Sequence, residues 1–163
     1  MNSTGTLYFF CGKMASGKST LAAQIAAEKD ALLLSEDQFL AELYPHEITD
    51  VPAYIERARR VGATVKPIVE ALLRRGLSVV MDFPANTPAQ RAWFREMIES
   101  TDAHHELHHI VCRDDLCKQQ LAQRARDNPE RRATDTVEMF EAINKYYQPV
   151  KDDEQFAVTV HNQ

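Results

Sequence analysis

The sequence predicts an α/β fold in which helices cover both faces of a parallel sheet of about five strands. Short runs that are apolar throughout alternate along the chain with longer segments of helical periodicity. Such continuous runs are typical of parallel strands that are buried on both faces. The 163 residues fit one domain, over 1–163, and 44% of them are hydrophobic, enough for a sizeable core. These values exclude a disordered chain, a collagen and a disulfide mini-protein, and the chain is too short for a hexameric remodelling ATPase with a separate helical lid domain.

The apolar runs and the helical segments follow one another in a regular order. Ser35 and Thr87 each precede a Gln by three residues, a capping-box pattern that opens a helix, and Asp135 stands in the same relation to Glu138. Pro67 lies inside a helical segment, so we expect a kink there or two helices. Strands are predicted at 7–11, 31–34, 77–82, 106–112 and 156–160, and helices at 18–29, from 35 onward, and at 52–75, 87–100, 114–125 and 135–147.

Charge and cysteine content limit the possible partners and compartments. The formal net charge is −5, which disfavours a general nucleic-acid coat, although local basic patches keep polynucleotide substrates open. The three cysteines form no C-x-x-C motif, which favours reduced thiols in a cytosolic protein. The first apolar run follows no basic residue and is too short for a signal peptide, and no run reaches the length of a membrane span. We therefore expect a cytoplasmic protein without a membrane partner.

Residues 12–19 read GKMASGKS and match the phosphate-loop pattern G-x-x-x-x-G-K-S/T, between a predicted strand and a predicted helix. Gly12 and Gly17 can adopt backbone angles that a side chain forbids, so the loop amides and the helix N-terminus converge on phosphate oxygens. Lys18 is expected to reach the β- and γ-phosphates, and Ser19 to ligate Mg²⁺. The predicted nucleotide-binding residues are Gly12, Lys13, Met14, Ala15, Ser16, Gly17, Lys18, Ser19 and Thr20.

The predicted nucleotide is ATP rather than GTP. A GTPase needs an acidic-x-x-Gly switch after the third strand, where this chain reads DFPA from Asp82. It also needs a guanine-reading Asn-Lys-x-Asp, and the only Asn-Lys pair here reads NKYY from Asn144. Asp82 ends a hydrophobic strand, as a Walker-B-type Asp does, and is predicted to support Mg²⁺. A capping or turn role is the alternative for this Asp.

These motifs resemble the small P-loop kinases grouped as AAA_33, which are related to zeta toxin, chloramphenicol phosphotransferase and the kinase domain of phage polynucleotide kinase. The resemblance covers nearly the whole chain and is most specific at the phosphate loop. In these kinases the second strand ends in a Ser or Arg followed closely by an Asp, and residues 34–37 read LSED here. The resemblance implies that Asp37 accepts a proton from the attacking hydroxyl, whereas Glu36 stands where relatives often have Arg or Asp. A first-turn position at the carboxyl edge of a parallel sheet agrees with that role for Asp37, and an ordinary first-turn acid is the alternative.

The resemblance also implies an arginine-bearing lid after the helix predicted at 114–125. Relatives place one Arg at the end of this helix and another before the next, which corresponds to Arg124 and to either Arg131 or Arg132, with Arg126 as a further candidate. Arginines there can clamp the charge on a transferring phosphoryl group, and a solvated charged loop is the alternative.

Two weaker signals accompany the lid. Arg91 and Trp93, on the helix predicted at 87–100, are candidates for the substrate side, with a surface Arg and a core Trp as the alternative. The histidine-rich segment 104–109 matches no zinc-site spacing, so histidines on a strand face are favoured over a metal site.

Together these features predict parallel strands in the order 2-3-1-4-5 and phosphoryl transfer, dependent on ATP and Mg²⁺, to a hydroxyl of a small-molecule acceptor. Lys18, Asp37, Arg124 and Arg132 are the predicted catalytic residues, and Ser19 and Asp82 the predicted metal residues. One alternative is a nucleotide-dependent switch that hydrolyses ATP slowly. Another is a toxin-like or polynucleotide kinase with a basic channel beside the base, for which the nearest candidates are Arg57, Arg59 and Arg60.

Overall fold

A computed structural model of the chain describes residues 3–163, so the first two residues of the predicted span 1–163 lie outside the described residues. It contains a five-stranded sheet in which every pairing is parallel. The strand order is β2-β3-β1-β4-β5, which confirms the predicted fold class and order. The strands are β1 (Thr6–Cys11), β2 (Leu32–Ser35), β3 (Val79–Pro84), β4 (His104–Val111) and β5 (Val158–Asn162).

Six α-helices connect and cover these strands within residues 3–163. Ser35 and Thr87 accept hydrogen bonds from the backbone amides of Gln38 and Gln90, so both predicted helix starts are confirmed. The helices are α1 (Lys18–Glu28), α2 (Glu36–Leu43), α3 (Val51–Arg74), α4 (Pro88–Thr101), α5 (Asp114–Asp127) and α6 (Val137–Asn144). Two short 3-10 turns add Pro129–Arg131 and Asp152–Glu154. None of the helices in the described part has both the length and the apolar character that a membrane span needs.

The two faces of β1 carry the two layers of the core. Leu7 and Phe9 pack with the buried faces of α3 and α4, where Phe9 stacks on Phe94 with a 4.5 Å separation of ring centroids. Tyr8 and Phe10 pack on the other face, against α1. This alternation explains why the run reads as continuously apolar, because each side of the strand faces a helix layer.

Two local predictions are wrong, and one of two alternatives is excluded at a third position. The run 31–34 was expected to be buried, but Leu32 is 49% exposed, because β2 lies at the edge of the sheet, as the predicted order has it. At Pro67, where a kink or two helices were expected, α3 continues as one helix packed on the core by its buried valines, which excludes the two-helix alternative. α6 begins at Val137, two residues later than predicted, with Thr136 as its cap in place of Asp135.

The parallel arrangement brings three functional segments to one edge of the sheet. The phosphate loop follows β1, α2 follows β2 directly, and Asp82 lies in β3, paired in register with Ser35 of β2. In open α/β sheets ligands bind at the carboxyl ends of the strands, where the chain leaves neighbouring strands for different helices. The site is therefore built where β1, β2 and β3 end.

Candidate active site

The phosphate loop makes a tight turn of the backbone, which its glycines permit. Ala15 and Gly17 both adopt positive φ, of 59° and 103°, and the amide of Ser16 donates to the carbonyl of Lys13 at 3.1 Å. A Cβ on Gly12 would lie 2.7 Å from Ser16 Oγ, so this position accepts only glycine without movement. The Ser16 hydroxyl is buried and has no hydrogen-bond partner among residues 3–163. An unpartnered polar atom inside a loop of converging amides fits a phosphate ligand.

The two predicted metal residues are in direct contact. Ser19 Oγ, in the first turn of α1, donates to Asp82 Oδ2 of β3 at 2.7 Å. A hydroxyl and a carboxylate beside a phosphate loop are the hard oxygen donors that Mg²⁺ prefers, usually with waters and phosphate oxygens completing the shell. Asp82 faces α1 from within its strand, which does not fit the alternative of a turn or cap residue. The donor set therefore fits Mg²⁺, in the place that the sequence predicts.

The two lysines of the phosphate loop have different partners. Lys18 Nζ donates to the carbonyl of Gly12 at 3.1 Å and lines the cavity. Lys13 Nζ points away from it, to Asp114 Oδ1 at 2.7 Å and to the carbonyl of Cys112 at 3.3 Å. Lys18 is thus the loop lysine that can reach a phosphate group from its position.

The lid is organised around one buried acid, Asp135. Arg124 at the end of α5 donates to both of its oxygens, at 2.6 and 2.9 Å, and Arg131 donates to Oδ2 at 2.9 Å. The Asp135 side chain is fully buried. The sequence interpretation of this residue as a helix cap is wrong because its carboxylate anchors two arginines instead. Both guanidinium groups line the cavity in this arrangement.

One lid arginine also touches the predicted base. Arg131 Nη2 donates to Asp37 Oδ2 at 3.2 Å, which joins residues 94 positions apart in sequence. Asp37 lies in the first turn of α2 and lines the cavity, half-exposed. The lid and the proposed base therefore meet in the same space.

The other two arginine candidates lie elsewhere. Arg132 is exposed and does not line the cavity, and Arg126 is exposed and donates to Gln123. Of the adjacent pair that the sequence left open, Arg131 is the one that faces Asp37. Sequence reasoning could not choose between them because the 3-10 turn Pro129–Arg131 decides which side chain turns inward.

A buried carboxyl next to Asp37 was not foreseen as a site feature. Glu36 is only 7% exposed, and its Oε1 accepts a hydrogen bond from the hydroxyl of Tyr54 at 2.5 Å. Burial raises the pKa of Glu36 from 4.5 to about 7, although the Tyr54 hydrogen bond acts in the opposite direction. Tyr54 comes from α3, and nothing in its local sequence sets it apart from other core aromatics.

Arg91 has neither of the roles considered for it. It is 1% exposed and pairs with Glu154 at 2.7 Å, and its Nη1 donates to the carbonyls of Ala85 and Gln148. It ties the segment after β3 to the chain that leads into β5, so it belongs to the scaffold. Trp93 packs against the core, edge-on to its neighbour Phe94.

The histidine-rich strand β4 pairs with protein groups. His108 contacts His161 of β5 at 2.9 Å, and His109 contacts the Tyr147 hydroxyl at 2.9 Å. Within residues 3–163, no group of three or more His, Cys, Asp or Glu side chains is arranged to hold a metal ion.

The phosphate loop, α2 and the lid surround one cavity of about 890 Å³. Its nucleotide end is formed by residues 14–20 and Asp82, and the lid closes it through Arg124 and Arg131. Its far end extends between α2, the segment 44–49 and the N-terminal part of α3. The volume lies within the range of about 300–1,000 Å³ typical of small-molecule sites.

Comparison with known proteins identifies the family and the fold. The AAA_33 family, an AAA domain, matches residues 7–150. Among curated protein sequences, none matches the chain. Solved structures with the same fold include a candidate kinase from Chloroflexus aurantiacus, with a TM-score of 0.80 at 14% identity over 98% of this chain and 89% of that chain. A sugar kinase from Janibacter sp. HTCC2649 superposes with a TM-score of 0.70 at 14% identity, over 98% and 85% of the two chains.

A third solved structure was determined with ligands. The APS kinase CysC of Mycobacterium tuberculosis, in complex with AMPPNP and APS, has a TM-score of 0.62 at 18% identity, over 98% of this chain and 89% of that chain. At these identities the likeness concerns the fold, which is that of the P-loop kinases.

Proposed function

We propose that this chain, which belongs to the AAA_33 family, transfers a phosphoryl group from ATP, with Mg²⁺, to a hydroxyl of a small molecule. The observation that carries the proposal is the contact between Arg131 and Asp37 inside the cavity. It puts a group suited to transition-state charge beside a group suited to accept a proton, next to the phosphate loop. A switch that only hydrolysed ATP would need a group that positions water and mobile switch loops, rather than a base aimed at a second substrate.

The nucleotide would be held by groups that are already in place. Lys18 and the loop amides would contact the β- and γ-phosphates, with Ser16 Oγ as a further hydrogen-bond donor. Ser19 and Asp82 would hold Mg²⁺, directly or through water, and the ion would neutralise charge on the phosphate oxygens. Thr20, Met14 and Ala15 also line the cavity on this side.

Transfer would use Asp37 and the lid in one step. The acceptor oxygen forms a bond to the γ-phosphorus while the bond to the β–γ bridging oxygen breaks, and ADP leaves with that electron pair. Asp37 takes the proton of the attacking hydroxyl, which can lie within hydrogen-bond distance of this first-turn carboxylate. Arg131, and Arg124 beside it, would turn from Asp135 and Asp37 toward the charged phosphoryl oxygens. We assign to Arg131 the role that the sequence suggested for Arg132.

The size and charge of the site favour a small acceptor over a polynucleotide. Arg59 and Arg60 are exposed and pair with Glu56, and Arg57 pairs with Glu47. None of these three lines the cavity, so within residues 3–163 they form no basic channel beside Asp37. A polynucleotide kinase would need such a channel to track the phosphate backbone.

A transfer assay with γ-labelled ATP and Mg²⁺ tests the proposal. The protein is incubated with a small-molecule cell extract, and the label is followed into new organic phosphates by mass spectrometry. A labelled organic phosphate that appears with the wild type and not with Lys18→Ala is the expected result. Label found in inorganic phosphate alone would favour the ATPase switch, and label on added oligonucleotide ends would favour the polynucleotide kinase.

A further inference from the structure

The Lys and Arg side chains that line the cavity belong to the phosphate loop and the lid. They are Lys18, Arg124 and Arg131, and each already has a partner: Lys18 the loop carbonyl of Gly12, Arg124 the carboxylate of Asp135, and Arg131 the carboxylates of Asp135 and Asp37. The far end, which we call the acceptor chamber, is lined by Glu36, Leu40, Tyr44, Ile48, Tyr54 and Phe83. In the described part of the chain no Lys or Arg lines this chamber. The one basic side chain there, within the same residues, is the exposed His46.

Apolar side chains and carboxyls thus share the acceptor chamber. Leu40 and Phe83 are buried in the core beneath it, and Tyr44 and Ile48 pack against the same cluster. The Arg57 guanidinium lies over the ring of Tyr44 at 4.8 Å but pairs with Glu47, and neither Arg57 nor Glu47 lines the cavity. A negatively charged acceptor would lose its hydration here without gaining an unpaired Lys or Arg, because Arg131 is already shared between Asp37 and Asp135.

Glu36 offers this chamber a hydrogen-bond acceptor. Its Oε1 is taken by the Tyr54 hydroxyl, and no other hydrogen bond to its carboxyl is found within residues 3–163. Tyr54 and the helix α2 fix the position of the group, and Asp37 is its neighbour in sequence. The other carboxyl oxygen is not fully buried, so it is open to the cavity, where a donor group of the acceptor can replace water as its partner.

We propose that the acceptor is an alcohol without negative charge on an apolar body, and that Glu36 selects it by accepting a hydrogen bond from a second donor group, a hydroxyl or an ammonium. This inference rests on the proposed kinase function. It narrows the class of acceptor by excluding sugar acids and phosphorylated sugars.

Fractionation by charge tests the class of acceptor. The small-molecule extract is separated by ion exchange into anionic, uncharged and cationic fractions, and each is incubated with the protein and γ-labelled ATP·Mg²⁺. We expect labelled product from the uncharged or the cationic fraction. Product from the anionic fraction alone would overturn the inference and leave the kinase proposal standing. Product from no fraction would overturn the kinase proposal, and this inference with it.

A conservative variant tests the role of Glu36. Glu36→Gln keeps the shape and can keep the bond to Tyr54, so we expect the KM for the acceptor recovered above to rise about ten-fold or more, with kcat and the KM for ATP changed much less. Glu42→Gln, exposed on the same helix and outside the cavity, serves as the matched control and should change neither constant. If Glu36→Gln fails to fold, Tyr54→Phe should produce a smaller rise in the same KM. An unchanged acceptor KM in a folded variant, or an equal rise in the KM for ATP, would overturn the assignment.

Discussion

The nucleotide end and the acceptor end of the cavity are held by different kinds of contact. The nucleotide end is one continuous segment, 12–20, whose backbone supplies most of the ligand groups and whose shape depends on two glycines. The acceptor end is assembled from side chains of α2, α3 and the lid, joined by bonds such as Arg131–Asp37 and Tyr54–Glu36. Phosphate binding is thus a local property of the chain, whereas acceptor choice depends on how distant elements pack.

This contrast predicts that substitutions at the acceptor end impair transfer and spare ATP binding. The largest effect is expected from Arg131→Ala. Arginines that stabilise a transferring phosphoryl group are worth about 10³–10⁵ in rate, so kcat should fall by that order while the Kd for ATP changes little. Arg132→Ala is the matched control, since its side chain is exposed beside the lid. A loss of transfer with Arg132→Ala and not with Arg131→Ala would restore Arg132 as the catalytic arginine.

At the nucleotide end the pattern should be reversed. Lys18→Ala removes charge-assisted hydrogen bonds to phosphate, each worth about 1.5–3 kcal/mol, so the Kd for ATP·Mg²⁺ should rise by about 10²–10³. The circular dichroism spectrum should stay that of the wild type, because within residues 3–163 the loop carbonyl of Gly12 is the one hydrogen-bond partner of this ammonium. Titration calorimetry measures the affinity, with Lys29→Ala, exposed just after α1, as the control. Unchanged binding would refute the phosphate-loop assignment.

The buried Glu36 makes stability depend on pH at the acceptor end. Its pKa is raised to about 7 in the folded chain, against 4.5 as its ordinary value, so the folded state binds the proton more tightly. The stability that the proton contributes is complete below pH 4.5 and is lost as the pH rises through about 7. Glu36→Gln should remove a decline of about 3 kcal/mol across this window, since one pKa unit is 1.36 kcal/mol.

Denaturant unfolding in EDTA at several pH values, wild type against Glu36→Gln, measures this effect. The EDTA keeps divalent ions from Asp82 and Ser19, which would otherwise add their own pH dependence. Parallel pH profiles of the two proteins would mean that folding does not raise the pKa of Glu36.

The sequence predicts features that neighbouring residues determine, and it misses contacts between residues that are far apart in the chain. The caps of α2 and α4 follow from adjacent residues and are confirmed. The strand order, which was predicted from the motifs and the family resemblance together, is confirmed as well. Asp135 was misread because an acid before a helix is a common cap, whereas the neighbouring Thr136 takes that position and frees the carboxylate for two arginines. Nothing near Asp135 in sequence indicates its burial.

Hydrogen-bonded pairs of side chains that are far apart in sequence could not be predicted for the same reason. Tyr54 and Glu36 are 18 residues apart on different helices, and Arg91 and Glu154 are 63 apart. Both pairs form because the packing of α3 and of the segment before β5 removes water from them. The hydrophobic periodicity of the sequence does not reveal such packing between distant segments. The burial of β2 was also misjudged: the predicted strand order placed β2 at the edge, but its run of leucines was still read as that of a fully buried strand.

The central claim, that Asp37 serves the acceptor and not the nucleotide, is tested most directly by Asp37→Asn. Asn keeps the size of the side chain and its suitability for a helix start, so α2 should form as before. ATP·Mg²⁺ affinity by calorimetry and phosphorylated acceptor by mass spectrometry are measured on the same preparation, beside Asp115→Asn, an exposed first-turn acid of α5. The account predicts an ATP affinity near that of the wild type and a loss of transfer of about 10²–10⁴, the usual worth of a general base. Transfer at the wild-type rate, or loss of ATP binding together with transfer, would contradict it.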